Sequence, residues 1–338
     1  MDKTFFTRSL SQRGDIQVYA TLHDGRVAIE KIWLAESRDE ADVASTRRQA
    51  GREADIMRRL AVQRDGDGRA VSNNNFIFSC RVVEGEDRTT LRMDTEAGWT
   101  AAEYRLRWRE GRSAAGADSL PPDDFPQDTM PWADYLARVL DIMEETAYAL
   151  RCIHTARPAC LHCDIKPANL WVQAGQHPLE RMGGLRLIDF GSAFSPRDLD
   201  DAPTPQALLE GFRHVGGTPG FWSPAVQDAY LRLCDLQNAL SGHTPDVEDR
   251  ADDCRRALKA LGPADDVYSL TATFLWMLTG QVPDGRDEAE LRATIEGALD
   301  ELPAAVGRAA ADCILGLFRL CTAAEPPPHC DDRMIREL

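Results

Sequence analysis

The apolar residues of this chain keep two different periods, and the change from one to the other limits the fold more than any other feature of the sequence. Up to about residue 97 they come in short runs separated by turn residues. "IQVYATL", "HDG" and "RVAIEKIW" read in succession as a strand, a tight turn and a strand, because His-Asp-Gly suits a short hairpin. "NNFIFSCRVVEG" and "RTTLRMDT" read as a second strand pair. One helix interrupts them: in "STRRQAGREADIMRRLAV", Ala54, Met57, Leu60 and Ala61 recur at helical spacing. A polar stretch follows, "REGRSAAGADSLPPDDFPQD", part of a long loop expected over about residues 104–131. After it the period is that of a helix. "PWADYLARVLDIMEETAYALRCIH" is a long amphipathic helix with Pro131 in its first turn. "VYSLTATFLWMLTG" is apolar nearly all round, which marks a helix buried in a core. The predicted class is α+β, a single bilobal domain over residues 1–338. A small β-rich lobe with one helix, about residues 1–97, precedes a larger, mainly helical lobe, about 98–338, in which the apolar residues over about 226–262 recur at helical spacing.

Composition narrows what such a chain can do. The formal net charge is −16, which argues against nucleic acid or an anionic membrane as the main partner, since both call for a basic surface. No apolar run approaches the roughly 20 residues that span a bilayer. The first residues, "MDKTFFTRSLSQRGD", lack the apolar core of a signal peptide, so a cytoplasmic location is expected. The nine cysteines are read as mostly reduced. Cys160 and Cys163 in "CLHC" have the spacing of a zinc pair, but no second ligand pair stands at a matching distance.

Two loops carry the chemistry. "LHCDIKPANLWV", residues 161–172, places an acid, Asp164, two residues before a cation, Lys166, and five before an amide oxygen donor, Asn169. "LRLIDFGSAF", residues 185–194, places a second hard oxygen donor, Asp189, after another apolar run. The first loop resembles the catalytic loop of eukaryotic-like serine/threonine protein kinases, H-R-D-x-K-P-x-N, and Asp189-Phe190-Gly191 matches that family's D-F-G. "GGTPGFWSPA" is similar to its GTPxYxxPE segment, with Thr218 as the threonine that bonds the catalytic aspartate and lysine. Asp266 in "DDVYSLTATFLWMLTG" stands where a family aspartate holds the catalytic-loop backbone, and Arg333 in "CDDRMIREL" where the family has an arginine.

The resemblance implies a bilobal kinase-like fold, with the helices over about 226–262 as an insertion, and transfer of the γ-phosphate of ATP, with Mg²⁺, to protein hydroxyls. In it Asp164 is the base for the acceptor hydroxyl and Lys166 the cation at the moving phosphate. Asn169 and Asp189 are the magnesium ligands. Lys31, paired with Glu53 in "GREADIMRRL", grips the ATP phosphates; Val18 and Met93 flank the nucleotide, and the backbone from Asp94 to Glu96 bonds the adenine edge. The implied partner is a protein substrate or a regulatory protein, with no nucleic acid and no membrane.

The chain departs from the family in several places. The glycine positions of the phosphate-covering loop hold Ser11, Arg13 and Ile16, and only Gly14 is present, off register. In "VAIEKI" Glu30 stands by letters where the lysine belongs, and Lys31 follows. Counted from Gly25, however, Lys31 is at the family distance. Val27, Ile29, Lys31 and Trp33 would then share one strand face with Glu30 on the other; a one-residue bulge would have the same result. Cys163 replaces the arginine that meets an activation-segment phosphate, implying activity independent of that phosphorylation, and Ala225 replaces the glutamate that pairs with Arg333. These departures keep two other readings open: a pseudokinase that serves as a scaffolding or regulatory module, and a kinase-fold enzyme with another acceptor or with nucleotidyl transfer.

Overall fold

The computed structural model describes residues 4–13, 15–23, 26–35, 40–64, 70–72, 78–110, 132–173, 184–212, 214–283, 287–300 and 303–323. Gly14, the turn residues Asp24 and Gly25, most of the polar stretch, Pro131 and the final segment with Arg333 lie outside them. The chain divides into two compact units, residues 1–135 with 168–190, and residues 136–167 with 191–338. The class is α+β.

The first unit holds the strands. They are β1 (Thr4–Arg13), β2 (Ile16–His23), β3 (Arg26–Leu34), β4 (Val62–Arg64), β5 (Ala70–Ser72), β6 (Cys80–Glu84), β7 (Arg88–Thr95), β8 (Gly98–Thr100), β9 (Leu170–Gln173) and β10 (Leu185–Leu187). An antiparallel sheet runs in the order β1-β2-β3-β7-β6, and a smaller one in the order β10-β9-β8. The expected hairpin is β2–β3, and the expected second pair is β6–β7. Helix α1 (Glu40–Ala61) packs on β6 and β7 with Ala54, Met57, Leu60 and Ala61 buried, the face its period marks out. In the small sheet Gly98 permits close approach: a Cβ there would lie 2.3 Å from the Val172 carbonyl oxygen.

One correction concerns the loop expected over residues 104–131. Its first residues are helical, because α2 spans Ala101–Glu110. A reciprocal cap starts this helix: the Glu103 carboxylate accepts from the Thr100 amide at 2.8 Å, and the Thr100 hydroxyl accepts from the Glu103 amide at 3.2 Å. Thr-x-x-Glu was present in the sequence and outweighs the weak apolar period that follows it.

The second unit is helical. Its elements are α3 (Trp132–His154), from Leu136 on, then α4 (Pro205–Phe212), α5 (Pro224–Gly242), α6 (Val247–Ala260), α7 (Pro263–Thr279), α8 (Glu288–Ala298) and α9 (Ala304–Cys321). The insertion expected over 226–262 is thus a pair of helices, α5 and α6, packed on each other. Ser223 caps α5 by accepting from the Val226 amide, and Pro224 occupies its first turn. Helix α7 is buried along almost its whole length, as its apolar composition requires. Among the described residues no helix is long and apolar enough to cross a membrane.

Candidate functional site

The first cluster is built on β3. Its pairing with β2 runs without a break from Ile16↔Trp33 to His23↔Arg26, so the strand has no bulge and alternation alone decides which side chains share a face. Val27, Ile29, Lys31 and Trp33 are buried. Glu30 points the other way and accepts from Arg92 on β7 at 2.9 Å. Lys31 donates to Glu53 on α1 at 2.7 Å and to Asp189 at 2.6 Å, and its ammonium lies 5.0 Å from the centre of the Trp33 ring. Val18 lies directly across the ladder from Lys31, and Met93 across from Ile29, where it is buried. Asp94 is exposed at the end of β7 and accepts from Arg92, and Glu96 is exposed just beyond.

Burying one cation with two carboxylates has consequences for all three groups. Burial pulls the Lys31 pKa down, but the charges of Asp189 and then Glu53 more than offset it and hold the ammonium above its ordinary value. Burial pushes the Glu53 carboxyl upward, against the pull of Lys31 and a hydrogen bond from the Phe190 backbone. Asp189 has a φ of 63°, a left-handed conformation that costs a residue with a Cβ, so the backbone is strained where this carboxylate meets Lys31.

Asn169 is buried in the short 3₁₀ turn before β9, and its carbonyl accepts from the Ile188 amide at 3.0 Å, which ties the two oxygen-bearing loops together. Among the described residues no group of three or more His, Cys, Asp or Glu is placed to hold a metal. One carboxylate and one amide from adjoining loops suit a hard cation that keeps waters or phosphate oxygens for its other positions, which is how Mg²⁺ binds. The donor set therefore fits Mg²⁺ and does not fit structural zinc.

The second cluster belongs to the helical unit. Lys166 donates to Asp164 at 2.8 Å and to the Thr218 hydroxyl at 2.6 Å, and Thr218 donates to the other Asp164 oxygen at 2.9 Å. The three close a triangle. Behind it Asp266 accepts from the amides of His162 at 2.9 Å and Cys163 at 2.8 Å, and from His154 Nε2 at 2.8 Å. Burial alone would raise the Asp266 carboxyl, but these donors bring it below its ordinary value. Cys163 takes a φ of 61° and is buried, and burial and the Asp266 charge push its thiol well up, so it is inert as a nucleophile. Gly217, at φ 105°, allows the Thr218 segment to lie against this loop: a Cβ there would be 2.5 Å from the Cys163 carbonyl oxygen.

Sequence reasoning missed two contributors. His154 is the third donor to Asp266, and its only signal is its place in the last turn of α3. Cys163 was legible as a substitution but not as a strained residue, because a positive φ has no sequence signature in a cysteine. A scan against models of known protein families and a search of curated proteins both return no match to this chain.

Proposed function

We propose that this chain is a protein kinase that uses Mg·ATP to phosphorylate serine or threonine hydroxyls, built as the family's bilobal fold and working in the cytoplasm. The observation that carries the reading is the ion cluster in which buried Lys31 and Glu53 meet the partly exposed Asp189, residues up to 158 apart in the chain. A buried ion cluster is weak as a source of stability, since desolvation consumes most of its Coulombic gain. A cation held rigid in this way suits the gripping of phosphates.

In this reading Lys31 binds the ATP phosphates, and Glu53 holds its ammonium in place. Val18 and Met93 flank the adenine, whose edge meets the backbone from Asp94 to Glu96. Asn169 and Asp189 hold Mg²⁺, which when bound neutralises charge on the phosphates. Asp164 orients the acceptor hydroxyl and takes its proton. Lys166 donates toward the phosphate in transfer, and Thr218 keeps the Asp164 and Lys166 side chains in one arrangement.

A second reading, a binding module without transfer, is favoured by one observation. The β1–β2 ladder closes at Arg13↔Ile16, with Ser11 paired to Val18 beside a register shift between Ser9 and Ser11, so the positions where kinases carry glycines are taken up in strand pairing. Intact-mass measurement after incubation with Mg·ATP separates the readings, with wild type, Asp164→Ala and Lys31→Ala compared. Phosphate on wild type alone is expected. Phosphate on Lys31→Ala as well would remove Lys31 from the mechanism. Added nucleotide would mean nucleotidyl transfer, and no added mass on any of the three would leave the binding module.

A further inference from the structure

The inserted helices α5 and α6 do not stand apart from the 161–169 loop. One apolar core joins Leu161 and Cys163 of that loop to Phe194 and Phe212 of the following segment, and to Val226 of α5 and Cys254 of α6. The segment is also fixed by polar contacts along its length. At its start Leu161 and Phe194 exchange backbone hydrogen bonds of 2.9 and 3.1 Å. At its end lie Gly217 against Cys163 and Thr218 against Asp164.

In the middle one side chain adds polar anchors to the apolar packing. Arg255 of α6 donates to the carbonyls of Ala202 at 3.1 Å and Pro203 at 2.7 Å, and to the Asp252 carboxylate at 3.2 Å. Ala202 closes the 3₁₀ turn Pro196–Asp201, so the guanidinium caps a helix end whose carbonyls carry partial negative charge. Serving two successive carbonyls and a carboxylate together takes the planar fork of arginine, which a lysine lacks.

We propose that α5 and α6 form a built-in clamp that holds residues 194–218 in the arrangement Thr218 needs, with Arg255 as its positioning residue, so that no phosphate on this segment is required. Cys163 fits this scheme. Where the family's arginine would need an anion, the thiol packs into the apolar core that α5 and α6 complete. The catalytic half of the proposal rests on the kinase reading; the clamp itself does not.

The test pairs hydrogen exchange with kinetics on the full chain, in Arg255→Ala, Arg255→Lys and phosphatase-treated wild type. In Arg255→Ala, amide exchange over residues 199–212 should rise about tenfold or more, as befits loss of hydrogen bonds from a charged donor, while α7 keeps its protection. Turnover should fall by a similar factor with KM for ATP unchanged, a split that general destabilisation would not give. Arg255→Lys should lie between the two. If Arg255→Ala loosens the whole unit, Arg255→Lys decides: looser exchange confined to 199–212 supports the clamp, and wild-type exchange overturns it. Unchanged exchange in Arg255→Ala, or loss of activity after phosphatase treatment, also overturns it. If wild type transfers no phosphate, the exchange result still decides the clamp, and the kinase reading is what fails.

Discussion

The two units hold their charged clusters by opposite means. In the first, Lys31 is almost sealed from water and is fixed between two charged groups, Glu53 and Asp189. In the second, Lys166 is one-fifth exposed and is fixed by one carboxylate and one neutral hydroxyl, while the backbone beneath it hangs on Asp266. Such a cluster resists rearrangement, since moving its one cation leaves two carboxylates unpaired, one of them buried. A partly hydrated lysine on a hydrogen-bonded frame can exchange partners at little cost. The first arrangement suits a fixed grip and the second a group that meets an incoming acceptor.

The widest separation between them should appear when each lysine is removed. Lys31→Met leaves two carboxylates facing each other and should cost about 3–5 kcal/mol in chemical denaturation. Lys166→Met should cost about 1 kcal/mol or less, because water reaches the site. If the kinase reading holds, both abolish transfer, so activity and stability part company only in the second unit. Equal destabilisation by the two substitutions would erase the distinction.

The pH dependence offers a sharper contrast, because two buried carboxylates are shifted in opposite directions. Asp266 lies below its ordinary value. Its contribution is therefore present above the ordinary carboxylate range and is lost as pH falls through the lowered folded value. Wild type should exceed Asp266→Asn by about 3 kcal/mol near neutrality, because the amide keeps one acceptor oxygen but loses the charge-assisted hydrogen bonds made at the other, and the gap should shrink below about pH 4. Glu53 lies above its ordinary value. The folded state binds its proton more tightly, so that contribution is full at low pH and is lost as pH rises through the raised value. The gap between wild type and Glu53→Gln should accordingly narrow as pH rises. Denaturation midpoints measured from pH 3 to pH 8 that move both gaps the same way would contradict this assignment.

Legibility in the sequence was uneven for a physical reason. Period-2 and period-3.6 patterns report burial directly, so β2, β3, β6, β7, α1, α3 and α7, and the helices of the insertion, could be read from them. The pairing of Lys31 with Glu53 was also within reach, because alternation along β3 is geometric, and the bulge alternative fell only when the ladder proved continuous. Asp189 as a second partner of Lys31 could not be read, since no local pattern joins residues 158 apart. The α2 cap was overlooked because the segment is charged and its apolar period weak. The joint that buries Cys163 against α5 and α6 is purely tertiary, and a lone cysteine has no signal for it.

A backbone substitution probes the second cluster apart from charge. Gly217→Ala adds one methyl group at φ 105°, aimed 2.5 Å from the Cys163 carbonyl oxygen. The strain should cost about 2 kcal/mol and pull the Thr218 hydroxyl away from Asp164. On the kinase reading, transfer should then fall steeply while affinity for ATP, measured by calorimetry, stays at the wild-type level. A fall in affinity equal to the fall in turnover would mean that the two clusters do not act separately.

The smallest effect expected belongs to the residue that the letters of "VAIEKI" make most conspicuous. Glu30 occupies the family's lysine position by spelling, yet β3 turns it to the face opposite Lys31, where it pairs with Arg92 near solvent. Arg92 keeps Asp94 as a partner at 3.2 Å when Glu30 is removed, so no buried charge is left alone. Glu30→Ala should therefore cost at most about 1 kcal/mol and, on the kinase reading, leave transfer within about twofold of wild type. The reason is the period of a strand: one residue along the chain is a change of face, and chemistry follows the face and not the letter. A loss of activity in Glu30→Ala comparable to that of Lys31→Ala would place Glu30 at the nucleotide and shift the register of β3 by one residue, a change that would also put Ile29 and Trp33 on the wrong side of the sheet.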